Sequence, residues 1–445
     1  MWLPALCEDE AVRRGLQPAR WLRDGNSGLR RWRDCAGPHR RNHGGGPKST
    51  ASGNPTMTTI SAPGDAPASS QAPAPSDGSA SGRAPTERAH FETLDILRVV
   101  ACLAVILYHY TFRGAARDGM TTFSLEDIHF VTKYGYLGVE LFFVISGFVI
   151  SYSAETRSAG AFLVARATRI YPGFLFCMSF SFLVLWALGP QGQALDGAQW
   201  LANLAIAAPA FHAQFVDGVY WSIVCELIFY AWIFLLKTTC AYERYTLAIV
   251  AAWMVVSVLN ICIWKNAILS YLFLTKYSAY FAAGITIYEI FYKSRSAGFP
   301  VFLGLILPLV LIQGADEIRY HRAYYAGTDF DVRVGAVLNV AVIAIVVAAL
   351  RRPPMRARRG VTVLLGAATY PMYLIHQRIG YVMLERLAPS CGRLPALGLT
   401  ILVLFVGSAL IWRFIETPVQ RLLRTMLTGR FRPRQPPAVT APPSP

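Results

Sequence analysis

From residue 94 onward the chain alternates long apolar runs with short polar or basic interruptions. A helix needs ~20 apolar residues to cross ~30 Å of hydrocarbon. Ten stretches approach that length: roughly 94–112, 135–153, 171–189, 219–237, 245–264, 274–292, 299–315, 332–350, 361–385 and 395–415. The pattern predicts an all-α polytopic membrane protein of about ten transmembrane helices, with a short interfacial or re-entrant piece at 200–210.

Polar positions inside these runs are the informative ones, because ionisable groups in lipid are costly and mark functional pathways. The first run, Leu94 to Tyr110, carries Asp95, Arg98 and His109 among Val, Leu, Ile and Ala. Read as one α-helix, the step from Arg98 to His109 is about three turns plus ~20°, so both lie on one face, ~16 Å apart. Asp95 sits one turn before Arg98. In the fourth run Ser222, Glu226 and Tyr230 follow i, i+4 spacing, and in the ninth Thr369, Tyr373, His376 and Gly380 share a face. The second run holds Glu140, Ser146 and Gly147, and its small residues suit close helix approach as much as chemistry.

Composition narrows the class. Hydrophobic residues make up 54% of the 445 and charged residues 15%, too apolar for an ordinary soluble protein. The net charge of +16 would by sign alone permit nucleic acid. Its placement between apolar segments argues for membrane lipid instead, and no nucleic-acid partner is expected. With a cytoplasmic N-terminus, ten spans put 154–170, 238–244, 293–298, 351–360 and the C-terminal tail inside. These segments hold Arg157, Arg166, Arg169, Arg244, Lys293, Arg295 and the Arg351–Arg359 cluster. The outer loops hold acids, among them Asp118, Glu126, Asp127, Asp316 and Glu317. The positive-inside rule therefore predicts that both termini are cytoplasmic. The eight Cys show no paired spacing, so neither a disulfide framework nor a metal site is expected.

Three zones result. Residues 1–90 are first Arg-, Gly- and Trp-rich, then dominated by Ala, Pro, Ser and Gly, and are predicted to be disordered. No signal peptide is read there, and Met57 offers a shorter start. Residues 91–425 form the membrane domain, and 426–445 a short basic, Pro-rich cytoplasmic tail.

The polar residues also fall into a known pattern. Leu94-Asp95-Ile96-Leu97-Arg98 followed by His109, the run Gly138 to Phe148, Arg166-Ala167-Thr168-Arg169-Ile170-Tyr171-Pro172, Trp221 to Glu226, Tyr370 to His376, and Glu416-Thr417-Pro418 occur in the order of the acyltransferase-3 family of integral membrane O-acyltransferases. The chain resembles that family over about 92–425. It departs at Glu140, where Asp is common, and at Ile96, where Gly is usual. The resemblance implies transfer of an acyl group, usually acetyl, from cytoplasmic acyl-coenzyme A to a hydroxyl of a surface or secreted carbohydrate. That places the protein in a bacterial cytoplasmic (inner) membrane. Acyl-CoA is then a donor substrate, with no bound cofactor, and the acceptor a carbohydrate or glycolipid.

The residues fit that chemistry. Arg98, Arg166 and Arg169 form a basic cytoplasmic mouth suited to coenzyme A phosphates, with Arg166 and Arg169 as the donor-binding pair. His109, with Arg98 and Asp95, is the catalytic group, as general base or as a transient acyl carrier. Glu140, Ser146, Ser222, Glu226, Tyr373 and His376 are cavity or substrate residues. Structural readings stand beside these. Asp95 and Arg98 suit a helix-end ion pair, Arg166 and Arg169 suit topology anchors, and His376 and Glu226 suit hydrogen-bonded braces. A glycolipid or polysaccharide transporter would also use buried charge within ten spans. It has no need of a phosphate-binding mouth.

Overall fold

A computed structural model describes residues 92–189, 195–293, 295–325, 327–351 and 359–428. The expected disordered segment 1–90, most of the Arg351–Arg359 cluster and most of the C-terminal tail lie outside the described residues. What is described is helical, without a strand among those residues. Ten principal helices follow in order: α1 (Glu92–Leu107), α2 (Leu137–Glu155), α3 (Ala159–Leu188), α4 (Tyr220–Thr238), α5 (Ala241–Leu259), α6 (Ser278–Phe291), α7 (Leu307–Tyr324), α8 (Val332–Leu350), α9 (Arg359–Cys391) and α10 (Arg393–Ile411). A final helix, α11 (Thr417–Thr428), closes the described chain. The 200–210 segment is a short helix, Gly197–Asn203, and a single turn, Ala208–Phe211.

Eight described helical segments have the length and apolar content of a membrane span. The other two helices expected to cross, α6 and α9, fall short for different reasons. α6 has 14 residues, or ~21 Å of helix, less than the hydrocarbon thickness. α9 is long, with 33 residues, but its apolar run is broken by Thr369, Tyr370, Tyr373, His376, Gln377 and Arg378.

Helix pairing restores the count. Cys102 of α1 approaches the Thr369 carbonyl of α9, His109 meets His376, Tyr110 bonds the His376 carbonyl, and Thr121 bonds Glu385. Both sequences advance together, so α1 and α9 run parallel. Two parallel spans must be separated by an odd number of crossings. Six span-length helices lie between them, and α6 with its preceding turn supplies the seventh.

Close backbone approach explains how α6 is held. A Cβ on Gly284 would lie 2.1 Å from the Val144 carbonyl oxygen, and one on Gly147 would lie 2.2 Å from that of Phe281. Two glycines facing each other let α2 and α6 touch backbone to backbone, the small-residue contact that membrane interiors favour. At one end of the bundle, Lys293 pairs with Glu155 at 2.6 Å, Lys237 pairs with Glu243, and Arg169 pairs with Glu416. The other end carries Asp331, whose backbone N–H bonds to Tyr134 at 2.8 Å. The Asp331 carboxylate caps α8 through the N–H groups of Arg333 and Val334, and these bonds hold its pKa below the usual value.

One expectation is corrected. The first span is not α-helical throughout: at Tyr108 it widens into a π-helix that continues to Asp118 and ends on Gly119 at φ 63°. The α-helical phase relation therefore holds only to Leu107, and His109 stands on the wider segment. π-Helical turns occur often at functional sites.

Candidate active site

A cavity of about 310 Å³ opens between α1, α2, α3, α4 and α9. Of the residues singled out in the sequence, Arg98, Ser146, Arg166, Arg169, Ser222, Glu226 and Tyr373 line it. Each guanidinium is set differently. Arg98 pairs with Asp95, one turn earlier on α1. Arg169 pairs with the fully buried Glu416 and lies 5.0 Å from the Tyr370 ring, a cation–π distance. Arg166 lies 5.9 Å from the Tyr230 ring, and its buried Nε has no hydrogen-bond partner among the described residues. Burying such a donor unpaired is costly, so a donor of this kind in a cavity wall suits an anionic ligand.

Beside the arginines, several hydroxyls and one carboxyl share the lining with apolar side chains such as Phe142, Phe143 and Ile145. Ser146 donates to Glu226 Oε1 at 3.1 Å, and Tyr230 donates to the same oxygen. Ser222 and Tyr373 join their hydroxyls at 2.8 Å. The i, i+4 pattern of α4 thus sets Ser222, Glu226 and Tyr230 along one wall, as the sequence spacing predicts. Glu140 does not line the cavity. It is buried on another face of α2, and its Oε2 has no hydrogen-bond partner among the described residues.

Beyond Tyr373 lie the two histidines. His376 is fully buried and His109 is 7% exposed, and neither lines the cavity. His376 Nε2 and His109 Nδ1 are 3.2 Å apart. His109 Nδ1 also lies 2.8 Å from the Val105 carbonyl, and His376 Nδ1 lies 2.7 Å from that of Tyr373. A carbonyl only accepts, so each neutral ring carries its proton on Nδ1. The single His109 Nδ1–H is then shared between the nearer Val105 carbonyl and the His376 Nε2 lone pair, and His109 Nε2 keeps its own lone pair. This is the arrangement of a base oriented by a second group. Gly380 makes room for it, because a Cβ there would fall 2.0 Å from the Tyr110 hydroxyl, which donates to the His376 carbonyl at 2.7 Å.

A further polar cluster lies past the histidines. Asp118 accepts from Arg113 at 3.1 Å, from Gln377 at 2.9 Å and from Tyr381 at 2.7 Å. The sequence marked Asp118 only as an outer-loop acid, and nothing in its spacing signalled these partners. Glu416 was visible within Glu416-Thr417-Pro418 but carried no assigned role there. Its place behind Arg169 depends on α11 folding against α3, where Gln420 also bonds Glu416 at 2.7 Å.

Comparison with known proteins agrees with this frame. A family model described as an acyltransferase domain, Acyl_transf_3, matches residues 91–413. The chain belongs to that family. Over 154 residues it is 29% identical to acyltransferase MdmB of Streptomyces mycarofaciens, covering 33% of this chain and 39% of that protein. Over 163 residues it is 26% identical to nodulation protein 10 of Rhizobium leguminosarum bv. viciae, covering 32% and 42% respectively. The chain thus spans about two fifths of the length of the curated relatives it matches. No solved structure matches.

Proposed function

We propose that this protein is a membrane O-acyltransferase. It moves an acyl group, acetyl being the expected one, from cytoplasmic acyl-CoA to a hydroxyl of a cell-envelope or secreted carbohydrate. The observation that carries this reading is an arginine-lined cavity whose wall residue Tyr373 packs, ring centroids 5.5 Å apart, against one of two hydrogen-bonded histidines. About 310 Å³ is at the lower end for ligand pockets and suits the thioester arm of the donor, with the nucleotide at the basic mouth. Acyl-CoA enters as a substrate rather than as a resident cofactor. The protein sits in the bacterial inner membrane with both termini cytoplasmic, so that the basic end meets the donor.

Transfer then follows from the proton positions. His109 Nε2 takes the proton of the acceptor hydroxyl as its oxygen attacks the thioester carbonyl. The C–S bond breaks, the ester forms, and the proton passes from His109 to the departing coenzyme A thiolate. His376 steadies the transient imidazolium by accepting the His109 Nδ1–H. The test compares glycans from cells with and without the protein by mass spectrometry, before and after mild base. A base-labile acyl mass confined to cells with the protein is expected. Identical glycans, with the protein inserted and abundant, would overturn the reading.

A further inference from the structure

Six hydroxyl side chains line the arginine cavity, and each has one proton to place. Ser146 and Tyr230 give theirs to Glu226, Thr369 to the Gly366 carbonyl, and Tyr370 to the Ile170 carbonyl at 2.9 Å. Ser222 donates to the Val219 carbonyl at 3.0 Å, an oxygen that only accepts. In the 2.8 Å contact between Ser222 and Tyr373 the phenol is therefore the donor. Five of the six protons are thus held by a carboxylate or a backbone carbonyl. The sixth, on Tyr373, rests on a neutral hydroxyl. A charged acceptor makes a bond roughly twice as strong, so this proton is the one an anion redirects most cheaply.

Tyr373 also stands closest to the base along α9. Its ring centroid lies 5.5 Å from that of His376, which lies 5.0 Å from that of His109. The guanidiniums sit further back. Asp95, the partner of Arg98, packs on Gly366, two turns before Tyr373, where an added Cβ would fall 2.5 Å from the Asp95 Cβ. Arg169 lies over the Tyr370 ring, one turn before Tyr373. Arg166 precedes Arg169 on α3. That helix runs alongside α9 in the same sense, since Tyr370 bonds the Ile170 carbonyl and Arg386 bonds the Leu188 carbonyl.

We infer that Tyr373 is a further catalytic residue, the donor that holds the thioester carbonyl oxygen while that oxygen is negative. The inference rests on the acyl-transfer reading above. His109 and His376 handle the proton alone, and charge developing on the carbonyl oxygen calls for a donor of its own. As the acceptor oxygen attacks, the C=O electron pair moves onto the carbonyl oxygen. The Tyr373 O–H turns from Ser222 Oγ to that oxyanion. Collapse restores the C=O bond and expels the coenzyme A thiolate, which takes the proton from His109. The Tyr373 proton stays on the phenol and returns to Ser222. A neutral carbonyl competes with Ser222 on equal terms and the oxyanion outbids it, so the bond strengthens only where it speeds transfer.

The experiment uses the full chain in native membranes that contain its own glycan. Binding of radiolabelled acetyl-CoA and the kcat for base-labile ester are measured for the parent, Tyr373→Phe and Ser222→Ala. Tyr373→Phe keeps the ring against His376 and loses only the hydroxyl. Its kcat is expected to fall about a hundred- to a thousandfold, the scale for one oxyanion donor, with the acetyl-CoA Kd within about twofold. Ser222→Ala leaves the phenol its proton but not its resting aim. It is expected to lose about three- to tenfold, the worth of one neutral hydrogen bond. Near-parental turnover by Tyr373→Phe overturns the assignment. Equal losses in the two variants, or loss of acetyl-CoA binding in Tyr373→Phe, make the hydroxyl pair a brace of the fold and overturn it too. If the parent binds acetyl-CoA but forms no ester, the transfer reading itself fails, and this inference with it.

Discussion

Glu416 sits behind Arg169. The two are 247 residues apart in the chain, yet the fully buried carboxylate pairs with a guanidinium that lines the arginine cavity. A planar guanidinium held from behind presents its remaining donors in one direction. Glu416→Gln keeps an acceptor but loses the charge, so Arg169 should lose its fixed aim. We expect the donor KM to rise about five- to tenfold, part of the ~1.5–3 kcal/mol that a charge-assisted bond contributes. The kcat should stay within about twofold, and Glu416→Asp should fall between the two. Equal loss in kcat and donor affinity would mark Glu416 as a general support of the fold.

His109 offers the sharpest test of chemistry against structure. His109→Gln can keep the bond to the Val105 carbonyl while removing the basic nitrogen. Turnover is expected to fall at least ~10²-fold, the usual scale for loss of general-base help, with acetyl-CoA binding retained. A His109→Gln protein that inserts normally and acylates at close to the parental rate would sink the assignment.

Arg166 should behave differently from its neighbour. Its buried Nε has no partner to lose among the described residues, so Arg166→Ala removes ligand contact without breaking a pair at that atom. Donor affinity should fall roughly ten- to a hundredfold. Equilibrium binding of radiolabelled acetyl-CoA to detergent-solubilised protein measures it, and unchanged binding would return Arg166 to a topology anchor.

The glycine contact between α2 and α6 makes a stability prediction. Gly284→Ala drives a Cβ against backbone on two sides, 2.1 Å from the Val144 carbonyl and 2.6 Å from the Phe148 nitrogen. Overpacking of this kind costs about 1–3 kcal/mol, and the Tm in detergent should drop. Gly398→Ala, whose Cβ meets open space, should leave it unchanged or raise it.

Sidedness can be read by thiol labelling of intact cells. Single cysteines at Asp127 and Asp329 are expected to react from outside, whereas one at Arg351 should not. Both acidic positions lie at the bundle end where Lys133 bonds the Asp329 carbonyl. External labelling at Arg351 would reverse the proposed orientation.

Much of the fold was legible because the bilayer forces long apolar helices to announce themselves. α6 and α9 show where that signal thins. α6 is too short to cross alone, and α9 trades apolar residues for the polar ones that build the site. The cavity was legible where helical spacing sufficed, as with Ser222 and Glu226 on α4. It was not legible where a partner comes from a distant helix. His109 and His376 were both singled out, but their contact depends on α1 and α9 lying side by side in register. Asp118 gained its three donors only because a π-helix, unannounced by the residues, carries it back towards Gln377 and Tyr381.

The parallel register of α1 and α9 also bears on how the protein is made. His109 and His376 are separated by 267 residues. At ordinary translation rates the second histidine leaves the ribosome about 13–50 s after the first. Arg98, Arg166 and Arg169 are all synthesised before His376, so the proposed base is complete only once α9 has been made. On the acyl-transfer reading, a chain truncated before α9 is expected to be inert towards an acyl-CoA thioester, water included.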